Sequence, residues 1–406
     1  MSMTVHRLIR FGIPIAILAA SVCQVSARTD QFADITAQRP DAFYDPPADR
    51  SPKPGVLLRE EPLRDVTLPA GLKGWRILYT TTVDDGTPAT AVATVFAPID
   101  APPGPRSVIM WEHGTTGLEQ KCMPSLSSAP TLGIPALEQI VKAGWVIVAT
   151  DYSFTEKDGP HPYLIGEGEA RAGLDSVRAA RQMPQFTLDR RTVVWGHSEG
   201  GHAALWTGIV GPRYAPDVPI AGIAAIAPPG DPADLLAMNP TVDRRFGSYV
   251  ARSYSRFYPD IEFAKATRRD THRAAREIGY LCSFVPRREP ERIAAILTTV
   301  DGGILTAGDY PALAARLAQN GADQPIAAPL LIAQGLSDDI VLPAATNSYV
   351  ERRCAAGQRL EYWTFVWVRH AAMVQQGSAL ANPLIAWTQA RFANQPQTGG
   401  CTRRFF

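Results

Sequence analysis

The sequence has little net charge and no long apolar run after its first 27 residues. Among 406 residues, 40 Lys and Arg stand against 39 Asp and Glu, which leaves a formal net charge of +1. Nucleic-acid binders need a basic surface that displaces counterions, so this balance argues against a nucleic-acid partner. After residue 27 no segment approaches the length of a membrane span, so we expect no transmembrane segment in the mature chain.

Cysteine is also scarce, with five residues in the whole chain. No Cys-x-x-Cys or His-x-x-x-His spacing occurs, so we expect no metal site. Cys23 falls within the N-terminal segment described next. An even number of cysteines in an exported chain predicts disulfides, but spacing does not choose among the three possible pairings of the other four: Cys122, Cys282, Cys354 and Cys401.

The N-terminus has the pattern of a secretory signal peptide. Arg7 and Arg10 precede the short apolar run FGIPIAILAASV, and Val25 and Ala27 occupy the small-residue positions before a cleavage site. The apolar run is too short to span a bilayer comfortably. We therefore predict cleavage after Ala27 and export, either to the periplasm or to the medium.

From Gly74 onward, apolar strand-like runs alternate with helix-like runs. Such alternation predicts an α/β fold with a mostly parallel sheet and helices on both faces. A charged, helical stretch interrupts this rhythm between two core strands, and we interpret it as an inserted cap or lid. The expected segments are a signal peptide (1–27), an extended arm (28–70), the first part of the core (71–230), the cap (231–305), the second part of the core (306–395) and a tail (396–406).

The stretch Gly196-His197-Ser198-Glu199-Gly200 lies between the predicted strand RTVVWG and the predicted helix GGHAALWTGIV. This G-x-S-x-G pattern in a strand–turn–helix context is typical of a nucleophile elbow. The glycines let the backbone turn sharply and leave the Ser198 hydroxyl exposed. Ser198 is therefore the candidate nucleophile, although the same pattern also serves as a simple turn.

A serine nucleophile needs a histidine base, and the base needs a carboxylate that orients it. Asp338 and Asp339 follow the predicted strand APLLIAQG, and His370 follows the predicted strand RLEYWTFVW. Ser, Asp and His then occur in the chain order of the α/β-hydrolase fold. We predict that His370 is the base and favour Asp338 as the acid, with Asp339 as the alternative.

The oxyanion needs its own hydrogen-bond donors. The loop EHGTTG follows a predicted strand at 107–111, where the α/β-hydrolase fold supplies one donor. We predict the backbone N–H groups of Thr115 and Glu199 as donors, with Thr116 as the alternative to Thr115. Three further histidines flank these turns, and we expect them to serve packing or hydrogen bonding: His113, His197 and His202.

Four separated segments resemble the secretory lipase family of α/β-hydrolases, over about residues 70–395. They are EHGTTGLEQKCMPS, GWVIVATDYSFTEKDGPHPYLIGEGEARAGLDSVRAAR, GHSEGGHAAL and LIAQGLSDDIVLPAATNSYVERRCAAG. The resemblance implies cofactor-free hydrolysis of carboxylic esters with Ser198, Asp338 and His370 as the catalytic residues. It also implies two disulfides that spacing alone does not predict, Cys122–Cys282 and Cys354–Cys401.

We therefore expect a secreted serine ester hydrolase, either a triacylglycerol lipase or a carboxylesterase, acting on a small-molecule or lipid ester. The resemblance implies contact between the cap and a lipid interface, while the many charges of the cap favour soluble, short-chain esters. Two alternatives remain. One is another acyl-transfer reaction on the same fold, such as peptide or amide cleavage. The other is an exported binding protein without activity.

Overall fold

The structure, a computed structural model, describes most of the chain: residues 35–101, 103–154, 161–284 and 288–406. The predicted signal peptide and the start of the predicted arm, residues 28–34, lie outside the described residues. None of the helices found in the described ranges is both long and apolar enough to cross a membrane.

One sheet of ten strands runs through the molecule, in the spatial order β1-β2-β3-β5-β4-β6-β7-β8-β9-β10. The first three strands are antiparallel to their neighbours, and all strands from β5 to β10 in this order are parallel. The strands are β1 (Leu57–Pro62), β2 (Leu72–Thr82), β3 (Pro88–Pro98), β4 (Arg106–Glu112), β5 (Val146–Phe154), β6 (Leu188–His197), β7 (Ile220–Ile226), β8 (Leu330–Gly335), β9 (Leu360–Phe365) and β10 (Cys401–Phe405).

Helices cover both faces of this sheet, as the alternating pattern predicts. The helices of the described chain are α1 (Leu137–Ala143), α2 (Gly166–Ala180), α3 (Glu199–Tyr214), α4 (Pro232–Met238), α5 (Pro240–Phe257), α6 (Phe263–Ala266), α7 (His272–Ile278), α8 (Arg288–Leu297), α9 (Pro311–Gln319), α10 (Pro343–Ala355) and α11 (Ala381–Phe392). Helices α2, α3 and α10 contribute to the apolar core on one face, and α1 and α11 contribute to the core on the other.

The central strand β6 shows why both faces must be covered. Val194 packs into the core beneath α2 and α3, whereas its neighbours Val193 and Trp195 pack into the core beneath α1 and α11. Successive side chains of a strand point to opposite faces, so an apolar run of this kind needs a helical layer on each side. The α/β-hydrolase architecture expected from the sequence is the architecture observed.

The cap is a helical layer with its own apolar core between β7 and β8. It comprises the helices α4 to α9. Leu313 and Leu317 of α9 belong to the same core cluster as Leu235 of α4 and Tyr249 of α5. The apolar face of α9 therefore packs on the cap rather than on the second part of the sheet.

Both ends of the described chain are more ordered than the expected arm and tail. Part of the arm forms β1, which pairs with β2, and the tail forms β10, which pairs with β9. Arg76 ties the arm down because its guanidinium bonds to Asp41 at 2.7 Å and lies 4.3 Å from the centre of the Phe43 ring.

Two disulfides join distant parts of the described chain, with the pairing that the family resemblance implies. Cys122–Cys282 links the loop after β4 to the cap. Cys354–Cys401 links α10 to β10 and so fastens the edge strand. Crosslinks of this kind stabilise a protein mainly by restricting its unfolded chain.

Candidate active site

Ser198 occupies the sharp turn between β6 and α3. Its backbone has φ 57° and ψ −122°, a conformation that non-glycine residues rarely adopt. The Ser198 N–H donates to the carbonyl oxygen of Ile226 at 2.9 Å, which anchors the turn to β7. The turn therefore stands at the carboxyl edge of the parallel strands, where α/β sheets bind their ligands.

The glycines on either side of Ser198 are required by close backbone contacts. A Cβ atom at Gly196 would lie 1.8 Å from the carbonyl oxygen of Gly200. A Cβ atom at Gly200 would lie 1.9 Å from the carbonyl oxygen of Glu112. Because both clashes are with backbone atoms, neither can be relieved by rotating a side chain.

The structure brings Asp338 and His370 together at this edge. His370 Nδ1 lies 2.8 Å from Asp338 Oδ2. Asp338 follows β8 and His370 follows β9, the two strands that come after β7 in the sheet. Asp338 also accepts hydrogen bonds from the side-chain amide of Gln334 and from the backbone N–H groups of Ile340 and Val341. These donors fix the carboxylate, so Nδ1 of His370 carries the hydrogen and Nε2 is free to accept one.

Asp339, the alternative acid, points to a different environment. Its carboxylate is exposed and pairs with Arg369 at 3.2 Å. Of the two adjacent aspartates, only Asp338 contacts His370 in the described chain.

His197 positions His370 through the backbone. His197 Nε2 donates to the carbonyl oxygen of His370 at 3.1 Å, and the two rings lie 4.6 Å apart between centroids. Burial and the neighbouring His370 hold the pKa of His197 well below its usual range, so this ring is neutral. No hydrogen bond joins the Ser198 hydroxyl to the His370 ring within the described residues, and in unliganded sites such contacts commonly tighten only when substrate binds.

The predicted oxyanion donors lie beside Ser198. Thr115 and Glu199 line the same cavity as Ser198. Glu199 is the first residue of α3, so its N–H has no partner within the helix. The carbonyl groups of the loop accept hydrogen bonds from Ser283 of the cap. The Ser283 hydroxyl donates to the carbonyl oxygen of Thr115, and its backbone N–H donates to that of Thr116, each at 2.8 Å.

The cavity over Ser198 is narrow and mostly apolar. Its space admits about one water molecule, so an acyl group can enter only if the cap or the lining side chains move. Cap residues form part of the lining. The apolar lining residues are Leu164, Pro229, Leu235, Val242, Phe246, Ile340 and Val341.

A group of buried carboxyl and imidazole side chains lies beneath the elbow. Glu112, Glu169 and Glu199 are all at most 1% exposed, and His161 Nε2 lies 3.5 Å from Glu199 Oε1. Sequence reasoning did not find Glu112, Glu169 or His161 because isolated acidic and histidine residues ordinarily indicate surface positions. The one available signal was the position of Glu112 at the end of an apolar strand.

Two sets of described residues bring three potential metal ligands within 4.8 Å of one another. In the first, Cys122 and Cys282 form a disulfide and so offer no thiolate beside Glu289. The second consists of His161, Glu169 and Glu199. Its carboxyl groups could be neutralised either by a cation or by protons.

The remaining histidines make hydrogen bonds, as expected from the sequence. His113 Nδ1 donates to the carbonyl oxygen of Gly114 at 2.7 Å, and His202 Nε2 donates to that of Asn320 at 2.7 Å. Burial lowers the pKa of each to about 4, so neither is charged at neutral pH.

Comparison with known proteins finds lipases among those similar to this chain. The family described as "Secretory lipase" matches residues 129–277. Lipase 10 of Candida albicans is 25% identical over 405 residues, which cover 91% of this chain and 84% of that protein. The secreted triacylglycerol lipase LIP2 of Malassezia globosa is 26% identical over 396 residues, which cover 89% and 83%.

Solved structures share the fold at low sequence identity. Candida antarctica lipase A has a TM-score of 0.68 at 19% identity, covering 90% of this chain and 89% of that one. The rice cell wall degrading esterase LipA from Xanthomonas oryzae has a TM-score of 0.63 at 18% identity, covering 85% and 100%. These likenesses confirm the α/β-hydrolase fold.

We expect Gly200→Ala to lower the free energy of unfolding by about 3 kcal/mol or more, because the new methyl group meets the Glu112 backbone. Gly211→Ala in the same helix is the matched control, because its Cβ would meet only Ile220 Cγ1 at 3.6 Å. The measurement is urea unfolding followed by circular dichroism. Equal stability of Gly200→Ala and the wild type would contradict the close packing of the elbow.

Proposed function

We propose that this chain, an α/β-hydrolase related to the secretory lipases, is a secreted ester hydrolase that forms an acyl-enzyme on Ser198. The observation that carries the proposal is the convergence of the strained Ser198 turn and the Asp338–His370 pair at one edge of the sheet. The matched family and the two aligned fungal lipases support carboxylic esters as the substrate class.

In the proposed mechanism, Ser198 attacks the ester carbonyl while His370 Nε2 accepts the hydroxyl proton. Asp338 holds His370 in the required tautomer and stabilises the imidazolium that forms. The N–H groups of Thr115 and Glu199 donate to the oxyanion, a contribution of roughly 3 to 4 kcal/mol per donor. His370 then protonates the leaving alcohol, and water activated by the same residue hydrolyses the acyl-enzyme.

The lining of the cavity supports an apolar acyl group. Leu235 of α4 and Val242 and Phe246 of α5 face the same space as Ser198. An acyl chain placed there would exchange water for these side chains, a gain of about 0.8 kcal/mol per buried CH₂ group. Because the space is narrow, a long chain needs the cap to move, whereas a short one needs only side-chain shifts.

Amide or peptide cleavage is the second candidate, since the same machinery supports it. An exported binding protein is a weaker one, because such a protein has no need of the strained Ser198 turn beside the Asp338–His370 pair. Export itself is supported by the relatives named as secretory or secreted.

We propose that the surface beside the Asp338–His370 pair contacts an ester–water interface. Met238 at the end of the cap helix α4 is 40% exposed, and Trp367 is 89% exposed. Asn239 bonds to the backbone of Asp339, and Asp339 pairs with Arg369, so these contacts bring the end of α4 close to the Trp367 loop. An exposed indole ring suits such an interface because it is apolar with one polar group.

The substrate class is tested with p-nitrophenyl esters of two to sixteen carbons and the matching anilides. We expect ester turnover that Ser198→Ala reduces by about 1,000-fold or more, and little anilide turnover. Preference for long chains would indicate a lipase, and activity confined to short chains would indicate a soluble esterase. Equal turnover by the wild type and Ser198→Ala, or faster anilide than ester turnover, would contradict the proposal.

Asp338→Asn and Asp339→Asn form a matched pair of adjacent substitutions. We expect Asp338→Asn to lower kcat by about 1,000-fold or more, because an amide disturbs the His370 tautomer. Asp339→Asn should leave kcat within about twofold, because it removes only an exposed ion pair. If the two variants lost activity equally, the assigned role of Asp338 would be wrong.

Trp367→Ala should weaken hydrolysis of emulsified triacylglycerol by about tenfold and leave turnover of a dissolved short-chain ester unchanged. Ile99→Ala is the control. Ile99 is 46% exposed but follows β3, which is antiparallel to β5, so it lies at the amino ends of the parallel strands, away from the Asp338–His370 pair. Rates on emulsion and on dissolved ester are measured side by side. A parallel loss on both substrates, or none on the emulsion, would rule out an interfacial role for Trp367.

A further inference from the structure

Three fully buried carboxyl groups meet under the proposed oxyanion site. Glu112 comes from the end of β4, Glu169 from α2 and Glu199 from the start of α3. Among the described residues, no Lys or Arg forms an ion pair with any of the three. An ionised carboxylate buried without a cation is very costly, so such groups hold their protons. Burial accordingly raises the pKa of each of these carboxyl groups well above its usual range.

The two hydrogen bonds of the His202 ring indicate that Glu169 carries a proton. His202 Nε2 faces the carbonyl oxygen of Asn320, which can only accept, so Nε2 carries a hydrogen. Because His202 is neutral, its Nδ1 carries none. Nδ1 lies 3.4 Å from Glu169 Oε2, and only a protonated carboxyl group can donate across that contact.

Glu199 lacks the donors that an ionised carboxylate requires. Neither of its oxygens has a hydrogen-bond partner among the described residues. Its polar neighbours are the Thr115 hydroxyl, the Glu169 carboxyl and His161, and burial lowers the pKa of His161 to about 3, so that ring is neutral. Among these described neighbours, only the neutral Thr115 hydroxyl and the neutral His161 ring could donate to a carboxylate on Glu199, and no Lys or Arg balances its charge.

The uncharged state of Glu199 matters for the reaction because its backbone lies beside the proposed oxyanion site. The N–H of Glu199 is a proposed oxyanion donor, so its own carboxyl group lies within about 8 Å of the developing negative charge. A carboxylate there would repel the oxyanion through a poorly screened interior. A neutral carboxyl group does not repel the oxyanion, so the N–H groups of Thr115 and Glu199 can stabilise it in full.

We propose that Glu199 is a positioning residue whose uncharged carboxyl group allows the oxyanion to form, and that loss of its proton switches acylation off at alkaline pH. This inference rests on the proposed function of Ser198. Because the form with a protonated Glu199 is the active one, activity falls as pH rises through the raised pKa of Glu199. We expect kcat/KM to fall by a factor on the order of 10 to 100.

The histidines and tyrosines near Glu199 do not replace it in this role. The neighbouring histidines are neutral because burial lowers their pKa values, and the neighbouring tyrosines stay neutral because burial raises theirs. Within this group, the charge gained at alkaline pH therefore falls on the glutamates. The groups that face Glu199 or its direct neighbours are Glu112, His113, Tyr152, His161, Tyr163, Glu169, His202 and Tyr249.

The test is kcat/KM for a dissolved p-nitrophenyl ester from pH 5 to 10, corrected for spontaneous hydrolysis. The variants are Glu199→Gln, which is neutral at every pH, and Glu167→Gln, a control whose surface carboxylate pairs with Arg171 on the same helix. We expect an alkaline decline in the wild type and in Glu167→Gln, and no decline in Glu199→Gln.

Several results would overturn the proposal. They are the absence of an alkaline decline in the wild type, the same decline in Glu199→Gln, and a folded but inactive Glu199→Gln at neutral pH. One divalent cation bound per chain in the purified protein would also overturn it, because a cation at His161, Glu169 and Glu199 would replace the protons.

Infrared spectroscopy keeps the inference testable if Glu199→Gln fails to fold. Protonated carboxyl groups have a distinct carbonyl stretching band, and its loss in the wild type should follow the alkaline loss of activity. A band that persists while activity falls would contradict the proposal. If the wild type cleaved no ester at any pH, the proposed function would fail, whereas the infrared titration would still report whether the buried carboxyl groups are neutral.

Discussion

The strained turn at Ser198 is the constraint on which the rest of the site depends. A serine at φ 57° and ψ −122° needs immovable neighbours, and the structure supplies them as backbone contacts at Gly196 and Gly200. The same contacts press the start of α3 against the end of β4. The turn therefore fixes, in one step, the position of the hydroxyl, the direction of the helix N-terminus and the distance to the Thr115 loop.

That close approach also explains the acidic layer beneath the turn. Glu112 ends β4 and Glu199 begins α3, so the packing that forms the elbow necessarily buries both carboxyl groups. Above the turn, the cap holds the oxyanion loop through Ser283 and the Cys122–Cys282 disulfide. Cap and core are thus joined beside the reacting atoms, which limits the proposed opening of the cap to the parts farther from this link.

The sequence was most informative where chemistry is encoded locally. The turn at Ser198 and the alternating strands and helices follow from short-range patterns, and the structure has them. Choosing between Asp338 and Asp339 required the three-dimensional structure, because the two adjacent aspartates differ in their contacts: Asp338 bonds to His370, whereas Asp339 pairs with Arg369. The strand β10 was missed because its exposed sequence CTRRF has no apolar alternation. The buried glutamates were missed because burial of an acid leaves no periodic signal.

In the proposed function, Ser198 is a nucleophile activated by His370. This claim is tested most directly by treating the protein with a fluorophosphonate probe and locating the adduct by mass spectrometry, with His370→Ala alongside. The account predicts a single adduct on Ser198 that forms rapidly in the wild type and at least about 100-fold more slowly in the variant. No adduct, an adduct on another residue, or equal rates in both proteins would contradict it.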